Sequence, residues 1–144
     1  MRPHPYLRAY LAGIAVPTAF LLVIMTVSAV FRFYLEVPSQ FVLATPAPPL
    51  ERAIVFPMAI VPNLWGVWNM LHLKIRSRWA LPLGVWGALL PLLLFPGGIA
   101  LARLLDVFTI QWTLALGVIP IGMAVYYLAW KLLVAFLNEE VGIA

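Results

Sequence analysis

Fourteen formal charges are spaced so that four stretches of this chain carry none: Ala9–Phe31, Ala53–Leu73, Trp79–Ala102 and Val107–Trp130, of 23, 21, 24 and 24 residues. A helix rises about 1.5 Å per residue, so each stretch is long enough to cross the roughly 30 Å hydrocarbon core of a bilayer. With 65% of the residues hydrophobic and 10% charged, the chain holds more apolar side chain than a soluble domain of this size can bury. The pattern predicts an all-α fold: a four-helix transmembrane bundle with proline-kinked helices, forming one membrane domain with the lipid bilayer as its solvent.

The expected first span, residues 9–31, follows a short basic tail carrying Arg2, His4 and Arg8. Its apolar run exceeds the roughly 7–15-residue core of a signal peptide, so it reads as a retained helix. An outer loop, 32–52, follows. Pro38, Pro46, Pro48 and Pro49 deny it a continuous helix, while Phe33, Tyr34, Phe41, Val42 and Leu43 are apolar enough to hold it at the membrane interface. The second span, 53–73, runs into a basic inner loop, 74–78. The third, 79–96, has Pro82 in its first turn, where a missing N–H costs little. Pro96-Gly97-Gly98 is the strongest turn signal in the chain and is expected to end this span, leaving 97–106 as an outer turn or interfacial piece. The alternative carries the helix to Ala102 and turns at Arg103–Asp106. Asp106 is placed to cap the fourth span, 107–130, and the tail, 131–144, continues as helix over Leu132–Asn138.

Charge sets the orientation. With the N-terminus inside, Arg2, Arg8, Lys74, Arg76, Arg78 and Lys131 lie inside, and only Arg32, Arg52 and Arg103 lie outside. That asymmetry predicts a multi-pass protein of a bacterial inner membrane with both termini cytoplasmic. It also accounts for the pI near 9.9 without a nucleic-acid partner, because the basic residues flank apolar runs instead of forming a polar face. The absence of cysteine excludes disulfides, thiol chemistry and thiolate metal sites.

The second span carries more polarity than an anchor needs. At about 100° per residue, Pro62, Trp65, Asn69 and His72 fall within about 80° of one another, and Asn63 falls off that stripe. Polar groups in hydrocarbon require partners or water, so the stripe is expected to face the bundle interior. Pro57 and Pro62 are expected to kink or break the outer half. Two readings stay open: a polar path or pocket ending at Asn69 and His72, or hydrogen bonds that hold helices together. The fourth span offers a second stripe of Asp106, Thr109, Thr113, Gly117, Pro120, Ala124, Tyr127 and Lys131. Its small residues suit close helix packing, and its threonines, Tyr127 and terminal charges suit a polar path. In the third span Gly84, Gly87, Ala88 and Pro91 are likewise small. Trp79 and Trp130, at span ends, fit an interfacial aromatic belt, whereas Trp65, Trp68, Trp86 and Trp112 fit core packing.

Chemistry-bearing patterns are sparse. No serine, histidine and acid stand at spacings that build a nucleophile–base pair, no span contains a carboxylate, and no phosphate loop or metal-ligand spacing occurs. His72 is the one candidate for holding a haem-like metal; no cofactor is predicted. Small multidrug transporters share the length and span number but carry an acidic residue in the first span, which Ala9–Phe31 lacks. The Pro62–Trp68 run differs from the Pro/Trp motif of tryptophan-rich sensory proteins in the spacing of its tryptophans. The leading functional expectation is a non-catalytic subunit or interaction protein of a membrane complex, with a homo-oligomer or another membrane protein as partner. The alternatives are an oligomeric channel or small-solute transporter lined by the second and fourth spans, and a membrane enzyme or cofactor carrier using His72.

Overall fold

A computed structural model describes residues 4–33, 59–104 and 112–143. All regular structure among them is helical. Helix α1 spans Pro5–Phe33, α2 Val61–Ile75, α3 Leu83–Leu104 and α4 Trp112–Ala129. A π-turn, Trp130–Val134, joins α4 without a break to the short α5, Ala135–Glu140. The chain therefore forms four rods arranged as a helical bundle. Three of them, over Pro5–Val27, Leu83–Ala100 and Leu116–Glu140, are long and apolar enough to cross a membrane. The fourth, α2, has 15 described residues; the outer loop and the Ala53–Met58 part of the expected second span, Pro57 included, lie outside the described residues.

Helix boundaries follow proline. Pro5 opens α1, four residues before the expected start at Ala9, because a fixed φ and absent N–H suit the first helical position. Pro62 sits in the first turn of α2 for the same reason. The third helix starts at Leu83 and not at Trp79, which a proline explains as well. Pro82 restrains the residue before it to extended backbone, so the helix begins only after Pro82, whose carbonyl accepts from Trp86 N at 3.0 Å. Residues 76–82 form a tight connection, in which Arg78 N and Trp79 N both donate to the carbonyl of Ile75.

The expected end of the third helix at Pro96-Gly97-Gly98 is corrected by the structure. Helix α3 passes through Pro91 and Pro96 and continues to Leu104. In hydrocarbon an open turn leaves backbone groups with no water to satisfy them, so a helix missing single proline N–H donors costs less than a loop. Ile99, beyond the glycine pair, is buried, and Phe95 packs where a side chain on Gly122 of α4 would stand, 2.6 Å from its Cε2.

The rods pack as two glycine-mediated pairs. Between α1 and α2, a Cβ on Gly13 would lie 2.8 Å from Gly66 Cα and 2.7 Å from the Trp65 carbonyl, so the backbones touch. Between α3 and α4, a Cβ on Gly87 would overlap the ring of Trp130, which is 0% exposed. In both cases a buried proline, Pro17 or Pro91, stands four residues on and cannot donate to that glycine's carbonyl. Lateral packing of small residues is the usual means of bringing helices together where lipid removes the hydrophobic driving force.

Tryptophans join the pairs. Trp68 of α2 and Trp86 of α3 stack at 4.6 Å with 19° between planes, and each indole Nε1 donates to the other's backbone carbonyl, at 2.9 and 3.0 Å. Trp65 lies 5.3 Å from Trp130 and 4.9 Å from Tyr126, within the range of favourable aromatic pairs. These residues, with Leu90 and Val134, make the core. Large apolar side chains such as Phe20, Val23, Leu116 and Ile121 point outward, as they do when lipid is the solvent.

The C-terminus is held by a glycine. Gly142 adopts φ 68°, and the two Schellman bonds are both formed: Ile143 N to Asn138 O and Gly142 N to Glu139 O, each 2.9 Å. Ile143 is thereby buried, and its carbonyl accepts from Nη1 of Arg76, the residue that caps the end of α2, at 2.9 Å. A Gly142→Ala substitution is expected to cost about 1–2 kcal/mol, because a Cβ disfavours the left-handed region. Faster proteolysis after Val141 in membranes would show it, and an unchanged rate would contradict this account of the cap.

Candidate functional site

Five polar residues of the bundle, Asn69, His72, Arg76, Asn138 and Glu139, converge at one end. Asn69, His72 and Leu73 of α2 and Arg76, which caps its end, follow one another at helical spacing on one face. Ala135, Asn138 and Glu139 do the same on α5. With Leu83 and Ile143 they line a cavity of about 180 Å³.

The π-turn puts Asn138 there. In an unbroken α-helix Asn138 would point about 80° away from Trp130, whereas one inserted residue rotates it back by about 100°. Both side chains consequently face inward, and π-turns of this kind recur at functional sites.

Asn69 is 1% exposed and makes three contacts. Its Nδ2 donates to Asn138 Oδ1 and to the Ala9 carbonyl of α1, both at 2.8 Å, and its Oδ1 accepts from Asn138 Nδ2 at 3.2 Å. A reciprocal amide pair thus links α2 to α5, and a third bond brings in the first turns of α1. The imidazole of His72 lies against Trp86 at 5.9 Å, and its Nε2 stands 3.2 Å from the Leu81 carbonyl. A carbonyl only accepts, so Nε2 carries the proton, and in the neutral ring Nδ1 is an acceptor. Arg76 and Glu139 are exposed at the mouth. The cavity therefore offers amides at its floor, an imidazole on its wall and one charge of each sign at its rim. It can bind and orient a small polar group.

Of the expected stripe on the second span, Pro62, Trp65 and Asn69 are buried and His72 is half-buried, whereas off-stripe Asn63 is exposed, accepting from Tyr10 Oη and donating to Ala59 O at 2.6 Å. The stripe on the fourth span does not join them. Gly117, Pro120, Ala124 and Lys131 are exposed, with nothing near a Cβ on Gly117. Tyr127 is half-buried beside Gly84, with Lys131 Nζ 5.6 Å from its ring centre. Asp106 and Thr109 lie outside the described residues, and of Thr113 only the helical backbone is described. The inward face of α4 instead follows Gly122, Tyr126, Trp130 and Val134 on to Asn138 at four-residue intervals. Trp130, expected in an interfacial belt, is fully buried; Gly87 leaves room for its ring.

These features define a helical membrane protein with a small polar cavity at one end of its bundle. Set against family models, curated proteins and solved structures, the chain finds no match in any of the three.

Proposed function

We propose that this chain is a non-catalytic, multi-pass subunit of a membrane complex, in a bacterial inner membrane with both termini cytoplasmic. The observation that carries the reading is the closed amide pair of Asn69 and Asn138. The two buried amides among the described residues are spent on holding helices together and not on a route through the bundle. The seam of Gly117, Pro120 and Ala124, which no neighbouring rod among the described residues covers, is the face on which another transmembrane helix packs closely. Arg8, Lys74, Arg76, Arg78 and Lys131 gather at the end shared by both termini, in support of a cytoplasmic placement of that end.

Because the chain has no cysteine, single cysteines can be introduced without background. A benzophenone attached to Ala124→Cys or Gly117→Cys in native membranes is expected to give one discrete adduct on illumination, with itself or with a single partner, while Phe20→Cys on the exposed face of α1 gives none. Monomer alone at all positions would sink the proposal. The same seam is where an oligomeric pore would form between copies, and a flux assay separates that second reading: Lys131→Leu lowers flux in a pore and leaves a pure packing face unaffected.

A further inference from the structure

We propose that the cavity between α2 and α5 seats the headgroup of an aminophospholipid, a ligand that carries a phosphodiester and a primary ammonium. This inference does not depend on the subunit reading, since a bound lipid is compatible with any partner. The lining fixes the chemistry. Arg76 uses one N–H on the Ile143 carbonyl, and a guanidinium has five donors in a planar fork suited to phosphate oxygens. Glu139 lines the same cavity and opposes a purely anionic ligand, just as Arg76 opposes a purely cationic one. A group bearing both charges satisfies both side chains. The ammonium has donors for the Glu139 carboxylate and for His72 Nδ1, whereas a trimethylated ammonium has none.

Location decides between a lipid and a soluble zwitterion of the same chemistry. The cavity lies at the end of the bundle, with Arg76 in its lining and Lys74 and Arg78 two residues to either side of it in sequence, where a membrane protein meets headgroups; basic pockets at such places bind phospholipid heads. Leu132 and Phe136, both more than half exposed, form with Glu139 a ridge at four- and three-residue steps. That ridge is apolar along its length and ends in the carboxylate at the mouth, giving acyl chains a surface continuous with the headgroup site. The volume, about 180 Å³, equals about six water molecules in the liquid, room for one small polar headgroup.

The test is native mass spectrometry of the intact protein after exposure to equimolar phosphatidylethanolamine, phosphatidylcholine and phosphatidylglycerol with identical acyl chains. The ethanolamine lipid is expected to be retained about tenfold over the other two, the discrimination that one charge-assisted hydrogen bond supplies. Glu139→Gln should abolish its advantage over the glycerol lipid, and Glu139→Lys should reverse it. Both changes are at an exposed position, and far-UV circular dichroism checks that the helices persist. Arg76→Gln should lower retention of all three. Equal retention of the three lipids by the unaltered chain, or a preference insensitive to Glu139, would overturn the site. Free phosphoethanolamine binding as tightly as the lipid would overturn the lipid assignment in favour of a soluble zwitterion.

Discussion

Gly87→Ala is expected to destabilise the bundle by about 1–3 kcal/mol, and Gly87→Val by more, since overpacking a filled interior costs that much. The added Cβ has no free space: it would meet Cβ, Cγ and Cδ1 of Trp130, the near end of a side chain that is itself enclosed and cannot swing aside. Either α3 and α4 separate, losing the contacts of Trp130 with Trp65, or Trp130 leaves its position in the core. Two other helical glycines supply the control. Gly97 and Gly117 have nothing within 4 Å of a built Cβ, so alanine there should be neutral or stabilising by up to about 1 kcal/mol through helix propensity alone. Unfolding in mixed micelles, followed by tryptophan fluorescence, would compare the three. Equal responses at Gly87 and Gly117 would mean that the α3–α4 contact does not hold the bundle together.

The same contact shows what the sequence could and could not reveal. Charge-free runs located the four rods, because lipid penalises formal charge regardless of how helices pack. The buried face of α2 was legible for a related reason: its proline, tryptophan and asparagine share one side, and Asn63, which does not, is exposed. The packing face of α4 was not. A membrane seam is ordinarily sought among small residues, which picks out Gly117, Pro120 and Ala124. Here the small residues of the α3–α4 contact belong mainly to α3, and α4 fills the space they leave with Tyr127 and Trp130. Small-against-large packing is a property of two helices at once, and periodicity within one helix does not report it. The π-turn had no sequence signal at all. It inserts a residue between Trp130 and Val134, and without that rotation Asn138 does not face Asn69, so the floor of the cavity was invisible to any argument built on a uniform 100° step. Pro96-Gly97-Gly98 misled for a different reason: it is a turn signal calibrated in water, where freed backbone groups find solvent, and inside a membrane those groups do not.

Asn69→Leu is expected to cost about 1–3 kcal/mol, chiefly because it strands the Asn138 amide in the interior, and an orphaned buried polar group costs its full desolvation. Leucine is close to asparagine in size, so packing changes little and the loss reports the hydrogen bonds. Asn138→Leu should cost less, since one N–H of Asn69 Nδ2 keeps the Ala9 carbonyl and only its other N–H and Oδ1 lose their partners, whereas Asn69→Leu leaves the whole Asn138 amide unpaired. The double replacement removes both halves of the pair, leaving no stranded amide, and is expected to be less destabilising than the two single changes added together by about 0.5–2 kcal/mol. Interhelical polar bonds in membranes average only about 0.6 kcal/mol. A coupling at or above that average would show that Asn69 serves to clamp α2 to α5. Strict additivity would separate the two amides energetically, remove the observation on which the subunit reading rests, and return Asn69 to the competing role of lining a polar path. Flux through reconstituted vesicles containing Asn69→Leu then becomes the deciding measurement: a clamp loses stability with no change in permeability per folded molecule, and a path loses permeability.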